Sequence, residues 1–220
     1  MNIASNIIAT QRQLPPHVKL LVVSKTQSVA HITEAYAAGQ RRFGENKAQE
    51  LASKVSQLPS DIEWHFIGHL QTNKVRAIAS FVHTIQSVES LRLLMAIDSE
   101  ARRANRIINC LLQFHIATEE TKSGLDLDEA HALLKSQEYK TMQNIRIKGA
   151  MGMATYTDDE TIVRSEFKML RSYFAKLRSS YFADDATFCE ISMGMSGDYL
   201  IAIEEGSTIV RIGSLIFGER

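Results

Sequence analysis

Leu20-Leu21-Val22-Val23-Ser24-Lys25-Thr26 sets the terms for the whole chain. Four apolar residues, two of them β-branched, read as a strand buried on both faces, as in a parallel sheet covered by helices. Lys25 follows directly at the C-terminal end. In parallel α/β proteins that is the end where binding sites form, so Lys25 is aimed at a pocket. A lysine there is either a solvated amine at a strand terminus or a desolvated amine that forms a Schiff base with a carbonyl compound.

Outward from this strand the same unit recurs. Before it, Ile3, Ile7 and Leu14 share a helical face that Pro15-Pro16 ends. After it, Ser28 is a natural N-cap for a helix carrying Ile32, Ala35 and Tyr36 and closed by Gly39. Further strands are predicted at 42–46, 64–68, 83–87, 107–116, 145–151, 187–193 and 208–213. Helices are predicted at 47–57, 72–81, from Ser87 or Glu89 to 103, at 128–135 and 160–179, and from Ser196 to about Glu205. Eight strands alternating with helices in a chain of this length match a single (β/α)8 TIM barrel, an α/β fold. After the eighth strand only Ser214 to Arg220 remain, so no second domain is expected and the N-terminal helix is expected to cover the barrel where the last helix normally packs.

The 220 residues are 45% hydrophobic and 23% charged, which suits one globular domain over 1–220. The 25 basic and 25 acidic residues cancel, so no global field favours nucleic acid or a membrane surface. The first residues lack a basic, apolar leader, and no apolar run approaches the roughly 20 residues that span a bilayer; a cytoplasmic protein is expected. Cys110 and Cys189 both sit in apolar segments and are expected as buried free thiols, and no Cys/His spacing resembles a zinc site.

In this fold the loops after strands seven and eight often bind phosphate. Here they are Ser192-Met193-Gly194-Met195-Ser196-Gly197 and Arg211-Ile212-Gly213-Ser214. Glycine lets backbone amides approach an anion, serine adds a hydroxyl, and Ser196 is predicted at a helix start. Ordinary turn glycines and a helix cap would look the same in either loop alone; their pairing favours phosphate. A lysine and a phosphate site in one mouth suit pyridoxal 5'-phosphate (PLP), which also needs a partner for its ring nitrogen. Arg211 fits that role as a permanent donor, although a salt bridge to a neighbouring strand is the alternative. His65 reads equally as a core histidine or a site residue.

Val22-Val23-Ser24-Lys25-Thr26, Phe43-Gly44-Glu45-Asn46, Trp64-His65-Phe66-Ile67-Gly68-His69-Leu70-Gln71-Thr72-Asn73-Lys74, Lys122-Ser123-Gly124, Ser192-Met193-Gly194-Met195-Ser196 and Val210-Arg211-Ile212-Gly213 resemble the YggS/PROSC family of pyridoxal phosphate homeostasis proteins, in family order. The resemblance implies a fold-type III PLP barrel like the N-terminal domain of alanine racemase. It implies Lys25 as the Schiff-base lysine, Ser196, Gly213 and Ser214 at the phosphate, Arg211 at the ring nitrogen and Asn46 near the ring, with Met151 and Met193 packed nearby. His69 stands where the family usually has proline, and the link between the fourth helix and the fifth strand is short.

Racemisation needs a second proton donor opposite the lysine. Alanine racemases take it from a partner's β-domain, which a chain ending at Arg220 is not expected to have, and none of the six tyrosines lies in a strand-end motif. The leading expectation is a PLP-binding homeostasis or carrier protein with little turnover, a monomer that passes PLP to apo PLP-dependent enzymes. The alternatives are a small PLP-dependent amino-acid racemase or lyase and, from another class, a class I aldolase, which leaves Arg211 without a role.

Overall fold

The strand at Leu20 lies between the second and the last strand of a closed parallel barrel. A computed structural model describes residues 2–118 and 123–218; Lys122, quoted above, lies outside the described residues. Eight strands run round the barrel in chain order: β1 (Lys19–Val23), β2 (Arg42–Glu45), β3 (Glu63–Phe66), β4 (Thr84–Val88), β5 (Ile108–Phe114), β6 (Ile145–Gly152), β7 (Glu190–Ser192) and β8 (Ile209–Ile212). Around them lie α1 (Ile3–Gln13), α2 (Val29–Ala37), α3 (Ala48–Val55), α4 (Leu91–Arg103), α5 (Leu127–Lys135), α6 (Gln137–Thr141), α7 (Glu160–Tyr181), α8 (Tyr199–Glu204) and α9 (Ser214–Phe217). Side-chain caps start several of them: Ser28 for α2, Ser90 for α4, and Asp126 for α5 in a reciprocal box with Glu129.

Alternation along the strands builds two cores. Leu20, Val22, Phe43, Trp64 and Phe66 pack outward into one continuous layer against the helices. Leu21, Leu111, Met151 and Ile209 are buried too but stand outside that layer, in the barrel lumen. Helix α1 packs against α2 and α9. Its Asn6 Nδ2 donates to Ile216 O at 2.9 Å, and its last residue, Gln13, accepts from Tyr199 Oη at 2.5 Å. The N-terminal helix thus fills the expected place beside the last strand.

Four details differ from expectation. The helix expected over 72–81 is a 3-10 segment, Thr72–Ala77. Arg106 Nη1 donates to Ala79 O and Val82 O, both at 2.8 Å, and so holds the following carbonyls in turns rather than in a continuing helix. The seventh strand is confined to Glu190–Ser192, because Phe188 is drawn into a stack with Phe182 and Phe174, centroids 4.2 and 4.8 Å away. Cys189 therefore falls before the strand and is exposed; Cys110 is buried, and both are free. Ser196 does not start a helix: α8 begins at Tyr199 with Asp198 as its N-cap residue, and the Asp198 carboxylate accepts from Met195 N–H at 2.5 Å.

Candidate functional site

Lys25 lies two residues beyond β1, half-buried, in a turn closed by Gln27 N–H donating to Ser24 O at 3.0 Å. Thr26 beside it has φ 64°, an uncommon left-handed conformation for a β-branched residue. The turn is held from behind by α3. Thr26 N–H donates to Glu50 Oε1 at 2.5 Å, and buried Lys54 Nζ donates to Ser24 O at 2.9 Å and to Glu45 and Glu50 Oε1 at 2.7 Å each. Ser24 Oγ also donates to Glu45, at 2.7 Å. Burial raises the Glu45 carboxyl above its ordinary range against the pull of Lys54 and Ser24. Burial pushes Glu50 the same way, but Lys54 and the Thr26 amide outweigh it and leave Glu50 lowered.

The other predicted residues gather on the adjoining strands β7, β8 and β2. Arg211 is 4% exposed; its Nη1 donates to Ser192 O and Oγ at 2.8 Å, and its Nη2 to Gly152 O at 2.9 Å. Among the described residues no carboxylate pairs with it, so the salt-bridge alternative fails. Burial lowers the guanidinium to about 10, against the opposing charge of Asp198. Val22 is in register with Ile212, so Val23 faces Gly213, where a Cβ would stand 3.3 Å from Val23 O. Gly213 N–H reaches Ser196 Oγ only at a long 3.4 Å, and Ser214 opens α9, exposed. Asn46, just past β2, keeps a buried Oδ1 with no partner. Gly68 presses against it so closely that a Cβ would lie 2.3 Å from Asn46 O. Met151 faces Ser192 in the lumen, but Met193 belongs to the outer core and so packs away from the site.

A polar chain that sequence reading missed runs from Arg211 down the lumen. Ser192 Oγ donates to Gln86 Oε1 at 2.7 Å, and Gln86 Nε2 lies 2.8 Å from His65 Nδ1. With the Gln86 amide in this orientation the chain runs from Arg211 to Ser192, Ser192 to Gln86, and Gln86 to His65 Nδ1. His65 then carries its proton on Nε2, which is buried without a partner. Burial, followed by His83, Arg42, Lys19 and Lys148, holds its pKa well below the ordinary value. The available signal was the polar residues interleaved with apolar ones in these strands: His65 in β3, Gln86 in β4 and Ser192 in β7. At the mouth, Glu166 accepts from Thr118 N–H at 3.2 Å and from Thr155 N–H and Oγ1 at 2.7 Å, tying the loops after β5 and β6. His69 bonds Glu89 at 2.7 Å, so the departure from proline ties the loop after β3 to the end of β4.

The family model "Alanine racemase, N-terminal domain" matches residues 1–220. A pyridoxal phosphate homeostasis protein of Synechocystis sp. is 36% identical over 100% of this chain and 98% of its own; one from Aquifex aeolicus is 39% identical over 92% and 87%. The structure of PipY from Synechococcus elongatus with PLP bound superposes with TM-score 0.87 and 35% identity, covering 98% of this chain and 100% of that one. Alanine racemase of Clostridium difficile, at 14% identity, shares the fold with TM-score 0.74 over 57% of its chain. Coverage and identity together settle kinship: the chain belongs to the pyridoxal phosphate homeostasis protein family, built on the barrel of the alanine racemase N-terminal domain.

Proposed function

We propose that this chain binds PLP, holds it as a Schiff base on Lys25, and serves intracellular PLP homeostasis or carriage with little or no turnover. The observation that carries this is Arg211: a buried guanidinium that no carboxylate among the described residues pairs, beside a loose glycine amide and serine hydroxyls. These groups fit a ligand that brings a phosphate and a ring nitrogen. Ser196, Gly213 and Ser214 hold the phosphate, Arg211 donates to the ring nitrogen, and the orphan Asn46 Oδ1 accepts from the ligand edge. When bound, PLP supplies an electron sink for amines. Arg211 weakens that sink, because a donor on the ring nitrogen keeps it unprotonated. The structure of a relative with PLP bound supports the ligand class. Release to apo PLP-dependent enzymes as a cytoplasmic monomer completes the reading.

The purified protein is expected to be yellow, to bleach with borohydride and then to carry the reduced adduct on Lys25 by mass spectrometry; Lys25→Ala is expected to be colourless. A wild type that stays colourless with added PLP overturns the cofactor assignment. Incubation with L-alanine and L-serine is expected to yield no D-isomer beyond stoichiometric amounts, and multiple turnovers would overturn the carrier role in favour of a racemase.

A further inference from the structure

The end of the barrel opposite Lys25 holds a cluster that the cofactor site does not use. Glu63 opens β3, His65 follows two residues later, and His83 immediately precedes β4. One ligand atom from each of the three lies within 4.8 Å of the others. Zinc takes histidine and carboxylate ligands at about 2.0–2.2 Å, which sets them about 3.3–3.5 Å apart, so side-chain rotations of about 1 Å close the set.

Four further observations bear on what the cluster takes. His65 is 3% exposed, and its Nε2 is buried with no partner while Nδ1 is engaged by Gln86. The other two groups have capacity to spare: Glu63 gives Oε2 to Arg42 at 3.0 Å and His83 gives Nδ1 to Thr84 Oγ1 at 2.9 Å, leaving Glu63 Oε1 and His83 Nε2. Half-exposed Glu63 and His83 also provide an entry path from solvent. The nearby cations are already engaged, Arg42 by Glu63 and both Lys19 and Lys148 by Glu190, at 2.8 and 3.4 Å.

The geometry points to a divalent metal site of the zinc class, with Glu63, His65 and His83 as ligands and a fourth position open to water. Two imidazoles and a carboxylate are a set that zinc favours over calcium or magnesium. To ligate through Nε2, His65 moves its proton to Nδ1, and the Gln86 amide turns over to accept it. Gln86 Nε2 then donates to Ser192 Oγ, whose own proton swings aside. This is the usual outer-shell support for a ligating histidine, and a glutamine is suited to supply either face.

The test is a zinc titration by calorimetry of the purified, chelator-treated, cofactor-loaded protein, with an anomalous-scattering map of the zinc-soaked crystal. One zinc per chain is expected, bound about tenfold or more weakly in His83→Gln and in Glu63→Gln, with the anomalous peak between the three side chains. Both variants keep a polar side chain at a half-exposed position, and Trp64 fluorescence checks that they fold. Absent zinc uptake, uptake unchanged in both variants, uptake abolished by Cys189→Ser, or a peak elsewhere overturns the site. PLP absorbance, read in the same samples, separates this result from the fate of the cofactor assignment.

Discussion

Removing the Lys54 ammonium, as in Lys54→Met, tests the idea that α3 holds the Lys25 turn through one buried cation. Its side chain is 8% exposed, that of Glu45 0% and that of Glu50 21%. Glu50 therefore rehydrates when Lys54 is lost, whereas Glu45 stays buried with no cation. Breaking a buried pair on one side costs about 3–5 kcal/mol, mostly as the penalty on the stranded charge. The cost also depends on pH. The folded pKa of Glu45 already lies above its ordinary 4.5 because of burial, and losing Lys54 raises it further. A raised carboxyl favours the folded state below its unfolded pKa, and that contribution is lost as pH rises through the folded pKa. The variant therefore suffers most at neutral pH and least near pH 4.5, with about 1.4 kcal/mol for each unit of extra upward shift. Urea unfolding followed by the single tryptophan, Trp64, buried in β3, reads this directly. Glu45→Gln combined with Lys54→Met is expected to recover at least half of the loss. A penalty under about 1 kcal/mol at neutral pH, or one equal at both pH values, refutes the reasoning.

Three further outcomes are expected. Gly149 has φ 155°, and a Cβ there would stand 1.7 Å from Glu190 O, so Gly149→Ala separates β6 from β7; a loss above about 4 kcal/mol or insoluble protein is expected, and a urea midpoint near wild type contradicts it. Ser192→Ala strands the buried Gln86 carbonyl and costs about 1–3 kcal/mol in the same assay, while a neutral result means the lumen chain contributes nothing. A thiol-titrating disulfide reagent is expected to label one cysteine of the native protein, Cys189, and both after denaturation, since burial raises the Cys110 pKa and keeps it a thiol; two fast native thiols would contradict that.

The barrel was legible because the longest apolar runs, in β1 and β5, mark strands and the same strand-helix alternation recurs between them, with polar caps such as Ser28 starting helices. That Lys25, Arg211 and Gly213 stand toward one mouth followed because the C-terminal strand ends of a parallel barrel share one face, whatever they bind there, while Asn46 came only with the family resemblance. The lumen chain was not legible. Whether Gln86 or Ser87 points inward depends on register, which slips between Ile85 and Val88, and only pairing across the sheet reveals that slip. Lys54 was hidden for a similar reason: on a helix face of Gln, Glu and Lys it looks solvated until α3 docks on Glu45. Phe188 read as strand because its stack on Phe174 and Phe182 brings in residues from α7 and the chain just after it.

Thr26 carries a last consequence. A left-handed backbone at a threonine costs about 1–2 kcal/mol relative to a relaxed one, and the Glu50 carboxylate holds it there. The residue beside Lys25 is thus a point of local frustration, where a less strained residue would fit the same turn. Selection for thermal stability alone would replace Thr26 with glycine or asparagine, which take up a left-handed backbone at less cost.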